Sequence, residues 1–299
     1  TGVADSVMVG WTGATPLAAS SFANIFFTIP LFFGIGVSYA ITPLVAEGAG
    51  AKDQNKIIEI LRHGTLINLL VGFVLVSLIF LVEPFMFAMG QPEDVVTLGI
   101  PYLSIIGVSI IPTMIFQTYR QFAEGLGKTR MAMVIVIASN FLNIALNYVL
   151  IFGKLGFPAL GLNGAGWATL ISRIIMAMGM MLYIYYGQKF AIYRKGFSIG
   201  HYSKSLTSKM LHIGLPAGSQ FIFEAGAFGF SALMMGWLGI TALAAHQIAI
   251  NLATISYMTT SGLAAAATIR VGNFLGQRVK KNLQDSAFSM IGMAVALMT

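Results

Sequence analysis

Long stretches of this chain carry almost no charge. Apolar runs of about 20 residues or more, the length that crosses a roughly 30 Å hydrocarbon core as a helix, occupy 16–46, 57–89, 95–122, 128–152, 163–188, 205–238 and 241–270. Shorter apolar pieces fill 1–13 and 283–299. Such segments have little conformational choice, because lipid offers no water to satisfy backbone amides and only helices or closed barrels can span it. With 57% hydrophobic and 9% charged residues, against about 25% charged in soluble domains, the chain cannot clothe a water-exposed surface. The expectation is an all-α integral membrane protein. Its two end pieces are short for spans, which reads as a fragment of a longer protein.

The chain also contains itself twice. The stretch from Met8 to Gly50 returns from Met234 to Gly276, with roughly 16 identities in about 44 aligned places. Each copy holds the end of one apolar run, a short turn and the whole of the next. An even number of spans separates the copies, so they point the same way, as parallel repeats do around an axis along the membrane normal. The predicted organisation is two six-helix bundles related by that pseudo-twofold repeat: 1–188, a basic linker at 189–204, and a truncated second bundle at 205–299.

Loop charge orients the spans. Lys52, Lys56 and Arg62 follow the second run, Arg120, Lys128 and Arg130 the fourth, Lys189, Arg194, Lys195, Lys204 and Lys209 the sixth, and Arg270, Arg278, Lys280 and Lys281 the eighth. The intervening loops carry almost no basic residue apart from Lys154. About fifteen of the 17 basic residues therefore agree on one cytoplasmic side. That placement suits a multi-pass protein of the inner (cytoplasmic) membrane whose parent has a cytoplasmic N-terminus. The basic balance belongs to loops in a bilayer and implies no nucleic acid.

Enzyme chemistry finds little support. Cysteine is absent and the histidines His63, His201, His212 and His246 are widely spaced, so no local metal motif exists. Gly125-Leu126-Gly127-Lys128-Thr129 resembles the end of a phosphate-binding loop, but Phe122 stands where its first glycine should be and no strand precedes it. No cofactor is expected.

Several ordered motifs identify a family resemblance. They are Asp5-Ser6-Val7-Met8-Val9-Gly10, the repeated turns around Gly13 and Gly239, Ala245-His246-Gln247 through Asn251, Leu142-Asn143-Ile144-Ala145-Leu146-Asn147-Tyr148, Gly161-Leu162-Asn163-Gly164-Ala165-Gly166, and Arg270-Val271-Gly272-Asn273-Phe274-Leu275-Gly276. Together they are similar to the multidrug and toxic compound extrusion (MATE) family in its bacterial NorM-like branch, along the whole chain. The resemblance implies a monomeric, cation-coupled antiporter that uses Na⁺ or H⁺ to export hydrophobic, often cationic drugs by alternating access. It also implies that this chain covers most of the first span of twelve through part of the ninth. A lipid-linked oligosaccharide flippase or a dedicated solute exporter shares the duplicated plan, but a flippase should line its cavity with basic residues.

Ionisable groups at membrane depth are the first place to look for function. A central charge costs about 2.5–3.5 kcal/mol on insertion scales, so one that persists faces a cavity or a partner. Asp5 in the first span, Glu224 midway along the seventh and Arg173 in the sixth qualify. Asp5 aligns with Ser231 in the repeat, so Glu224 lies about 10 Å deeper than that equivalent point. The resemblance implies ion coupling at both carboxylates, against the plainer reading of carboxylates merely satisfied by neighbours. Asn143 and Asn147 share a helical face and the resemblance sets them beside Asp5; interhelical hydrogen bonding is the bland alternative. Gln220 lies one turn before Glu224. Arg173 could face Asp5 or Glu224, or snorkel to an interface. A polar contact at a helix start is the plainer reading of His246 and Gln247.

Overall fold

The computed structural model describes residues 2–197, 200, 202–237 and 239–298. Among these residues the chain is helical throughout, and no strand occurs. Part of the predicted linker, including His201, and the side chain of Gln247 lie outside the described residues.

Helix α1 (Gly2–Gly10) leads through a tight turn at Gly13 into the second run, which is built from α2 (Ala14–Ser38) and α3 (Ile41–Gly50). Helix α4 (Gln54–Val82) forms the third run with a 3₁₀ segment Glu83–Met89, α5 (Glu93–Val108) and α6 (Ile110–Gly125) form the fourth, α7 (Arg130–Phe152) the fifth and α8 (Gly161–Tyr186) the sixth. A 3₁₀ segment at Gln188–Phe197 precedes α9 (Lys204–Trp237), α10 (Ile240–Gln277) and α11 (Lys280–Met298). Five helical segments, Ala14–Gly50, Gln54–Met89, Glu93–Gly125, Arg130–Phe152 and Gly161–Tyr186, are long and apolar enough to cross a membrane by length and composition.

Two runs are interrupted, and proline accounts for both interruptions. Pro43 has no N–H for the carbonyl of Tyr39, and its ring crowds that carbonyl, so α2 gives way to α3 at Tyr39 and Ala40. Pro112 bears the same relation to Val108, and the chain breaks there at Ser109. Asp53 caps the start of α4, accepting a hydrogen bond from the Lys56 amide at 3.0 Å.

Two apolar cores stack along the bundle. One joins Val9, Ala19, Phe27, Ile79, Tyr102, Leu103, Ile106 and Met114. The other joins Val37, Ile41, Leu44, Ile60, Tyr119, Phe122, Met180 and Phe190 toward the end that bears the basic loops.

The repeat meets itself at that end. A Cβ at Gly50 would lie 2.0 Å from the Asn273 carbonyl oxygen, and one at Gly276 would lie 2.0 Å from the Glu47 carbonyl oxygen. Gly50 aligns with Gly276, and Glu47 with Asn273, so the contact is reciprocal, as a local twofold axis makes it. Only glycine lets α3 and α10 approach this closely. Glu47 adds an ionic tie across the same end, 2.8 Å from Lys56 and 3.3 Å from Lys209 at the start of α9.

Candidate functional site

Asp5 sits on α1 against α7 and α8, in a pocket built almost wholly from uncharged polar groups. Helices α7 and α8 pack tightly because Gly164 allows the Leu150 carbonyl to within 2.5 Å of where a Cβ would stand. That closeness carries the polar face of α7, Asn143 and Asn147, onto Thr169 of α8. Asn147 Nδ2 donates to Asp5 Oδ1 at 2.5 Å and also lies 3.3 Å from Asn143 Oδ1. Thr169 Oγ1 donates to Asp5 Oδ2 at 3.5 Å and accepts from Asn143 Nδ2 at 3.4 Å. Both asparagines are fully buried, at 0% exposure. Asn147 Oδ1 is buried without a hydrogen-bond partner, so an acceptor oxygen and a carboxylate share one pocket.

Arg173 lies one helical turn beyond Thr169 and belongs to the same assembly. Its Nη1 donates to Ser109 Oγ at 2.7 Å, and its guanidinium carbon stands 4.9 Å over the Phe27 ring. The Pro112 break between α5 and α6 is what presents the Ser109 hydroxyl. Arg173 makes no ion pair but stays within electrostatic reach of Asp5 and Tyr102. The partners the structure gives Arg173 are Ser109 and Phe27.

Glu224 occupies a separate cavity of about 500 Å³ between α2, α9 and α10. Phe32, Phe221, Phe228, Tyr257 and Met258 line its apolar wall, Thr254 adds a hydroxyl, and among the described residues no basic side chain lines it. Tyr257 lines the same cavity as Glu224 and brings a phenol to it. Tyr39 stacks on Phe221 with ring centroids 5.5 Å apart, which joins the α2 break to the cavity wall. The half-buried carboxylate therefore faces a space walled by aromatic faces, suited to attract a flat organic cation.

Of the residues singled out in the sequence, Asp5, Asn143, Asn147 and Arg173 come together, and Glu224 stands apart in its own cavity. Gln220 is exposed and outside both sites. His246 Nε2 is buried without a hydrogen-bond partner, so the helix-start contact is not made through that nitrogen. Sequence reasoning missed Thr169, Ser109, Tyr102 and Tyr257. Thr169 carried a usable signal, since its spacing of four from Arg173 puts two polar groups on one helical face. No group of three or more His, Cys, Asp or Glu that could hold a metal ion occurs among the described residues.

Comparison with known proteins follows from this geometry. The MatE family model matches residues 1–149 and 216–299. The chain is 33% identical over 298 residues to the probable multidrug resistance protein NorM of Synechocystis sp., covering 100% of this chain and 65% of that relative. It is also 33% identical over 300 residues to the multidrug resistance protein NorM of Vibrio cholerae, covering 100% of this chain and 64% of that protein. The chain thus spans about two thirds of the length of these curated relatives. In fold it is similar to a MATE crystal structure in the bent conformation, with a TM-score of 0.87 at 21% identity over 99% of this chain and 65% of that one. It is similar as well to the eukaryotic MATE transporter AtDTX14, with a TM-score of 0.82 at 21% identity over 97% of this chain and 64% of that one. With the family model covering most of its length, the apolar helices and the duplicated turns have one explanation: this chain belongs to the MatE family.

Proposed function

We propose that the parent of this chain is a multidrug antiporter of the cytoplasmic membrane, coupled to Na⁺ or H⁺ and working by alternating access between two six-helix bundles. In this reading 1–188 forms the first bundle, 189–204 the linker and 205–299 the start of the second. The observation that carries it is the Asp5 pocket, a carboxylate held by Asn147 and Thr169 next to an unpartnered amide oxygen. A proton or Na⁺ neutralises that charge, and the neutral and charged pockets favour different bundle arrangements.

Glu224 supplies the second charge, at the aromatic cavity where a lipophilic cation would bind. Ion and drug then compete for negative charge, and competition couples their fluxes. Each cation moving inward gains about 2.3 kcal/mol per 100 mV of membrane potential, enough to export a neutral solute more than tenfold uphill. The all-acidic charge of the Glu224 cavity disfavours a lipid-linked pyrophosphate, which needs basic partners, so the flippase reading is the weaker one.

The test follows efflux of a fluorescent lipophilic cation from proteoliposomes holding the full-length parent, after separate Na⁺ and pH jumps, with Asp5→Asn and Glu224→Gln alongside. One gradient should drive efflux and each substitution should abolish it. If neither gradient moves any of several cations while the protein remains folded, the antiporter reading is wrong and a dedicated exporter takes its place.

A further inference from the structure

Polar side chains recur at every fourth residue down the inner face of the fourth run: Ser109, Thr113, Gln117 and Gln121. All are buried, with Gln117 at 6% exposure and Gln121 at 1%. A spacing of four keeps successive side chains in reach of one another while the stripe drifts slowly round the helix. At 1.5 Å per residue it extends about 18 Å, more than half the hydrocarbon thickness.

The stripe has functional groups at both ends. At its head Ser109 Oγ accepts from Arg173 Nη1, one turn from the threonine that donates to Asp5. At its foot Gln121 Oε1 takes a hydrogen bond from Thr42 Oγ1 on α3. Beyond it the ion pair of Arg120 with Glu124, 2.7 Å apart and partly exposed, marks the basic-loop end. The route lies inside the first half of the chain, away from the Glu224 cavity.

Two atoms along it are orphaned. Gln117 Oε1, an acceptor, and Gln121 Nε2, a donor, are buried without partners. An unmade buried hydrogen bond costs about 1–3 kcal/mol, and an acceptor and a donor one turn apart are what a water molecule satisfies by donating to one and accepting from the other. The hydroxyl of Thr113 lies one turn above Gln117, and the buried pair of Asn68 Nδ2 with Thr118 Oγ1, 2.7 Å apart, adds polarity beside it. A third orphan, Asn147 Oδ1, marks the Asp5 end.

We propose that this stripe holds a file of water and is the path by which a proton leaves Asp5 for the cytoplasm. The inference rests on reading Asp5 as a proton-coupled site. The Asp5 carboxylic acid breaks its O–H bond to the first water, and each water in turn accepts one proton and passes another on. The last proton enters the cytoplasm and Asp5 remains as a carboxylate. Ser109, Thr113, Gln117 and Gln121 orient the water and keep their own protonation throughout. The fixed positive charge of Arg173 stabilises the newly ionised Asp5 and so favours release of its proton.

The experiment uses the full-length parent in proteoliposomes with an internal pH dye, comparing Gln117→Leu, Gln121→Leu and Thr113→Val with Gln117→Ser and Asp5→Asn. Gln117→Leu, which removes a bare amide oxygen, leaves thermal stability unchanged or raised; Gln121→Leu also removes the partner of Thr42 and loses some stability; lipophilic-cation binding stays intact in both. Proton flux and pH-driven efflux fall about tenfold or more, the scale of a broken proton relay, while Gln117→Ser, which leaves room for water, retains them. Leucine and valine variants that fold and transport at the parent rate, while Asp5→Asn abolishes transport, overturn the path and leave the Asp5 site standing. Wild-type rates in Asp5→Asn, or efflux driven by Na⁺ with no proton movement, overturn the path together with the reading of Asp5 as a proton site.

Discussion

Asn147 Nδ2 lies 2.5 Å from Asp5 Oδ1, while the oxygen of the same amide has no partner. The amide thus holds the carboxylate through one atom and offers a bare acceptor through the other. The same nitrogen reaches Asn143 Oδ1 at 3.3 Å, and Asn143 is held in turn by Thr169, which itself donates to Asp5. A proton on Asp5, or a cation between the two oxygens, completes the set.

Asn147→Ala should therefore slow ion-driven efflux about tenfold or more, since a hydrogen bond to a charged group is worth about 1.5–3 kcal/mol. Binding of a lipophilic cation, which takes place at the other site, should stay within about twofold of the parent protein. Ion titrations of efflux rate beside drug-binding fluorescence separate the two effects. Loss of drug binding alone would contradict this division of labour.

Glu224→Gln keeps the shape of the aromatic cavity and removes its charge. A carboxylate and a cation 4 Å apart interact by about 4 kcal/mol at an effective dielectric constant of 20, so affinity for a monovalent cationic drug should fall about tenfold or more. A neutral drug of similar size should bind nearly as before. Tyr257→Phe, which removes the phenol from the Glu224 cavity, should have a smaller effect in the same direction. Isothermal titration with a cationic and a neutral ligand checks both.

Arg173→Met removes the positive charge near Asp5 and the donor to Ser109. The uncountered carboxylate should hold its ion more tightly, because a nearby cation favours the ionised form and a missing one no longer does. The half-saturating ion concentration should fall and turnover should slow, as release becomes the harder step. A raised half-saturating concentration would show that Arg173 supports binding through shape alone.

Gly50→Val or Gly276→Val would drive a side chain into backbone 2.0 Å away. Overpacking of this kind costs about 1–3 kcal/mol, and the two variants should lose thermal stability to a similar degree because their contacts are reciprocal. Gly292→Ala, which meets nothing within 4 Å, serves as the neutral control. Melting temperatures in detergent decide it; an unchanged Gly50→Val would mean that α3 and α10 stand apart in the membrane.

Composition and run length determined the membrane class, the spans and their order, because lipid leaves a long apolar segment only the helix. The repeat was legible as two copies pointing the same way, though not the meeting of Gly50 and Gly276, and the four-residue spacing of Asn143 and Asn147 announced a shared polar face. Asp5, Glu224 and Arg173 stood out because charge at depth is costly. The family resemblance had already set Asn147 beside Asp5; tertiary structure alone decided the other neighbours: Thr169 for Asp5, Ser109 and Phe27 for Arg173, and Tyr257 in the cavity of Glu224. The polar stripe of α6 was equally hidden, since Gln117 and Gln121 gain meaning only once α3 and α4 cover them. The physical reason is that lipid and protein interior are both apolar, so hydrophobic pattern does not set the rotation of a membrane helix. Rotation comes from packing between helices far apart in sequence, such as Gly164 against Leu150, and from hydrogen bonds that exist only after they meet.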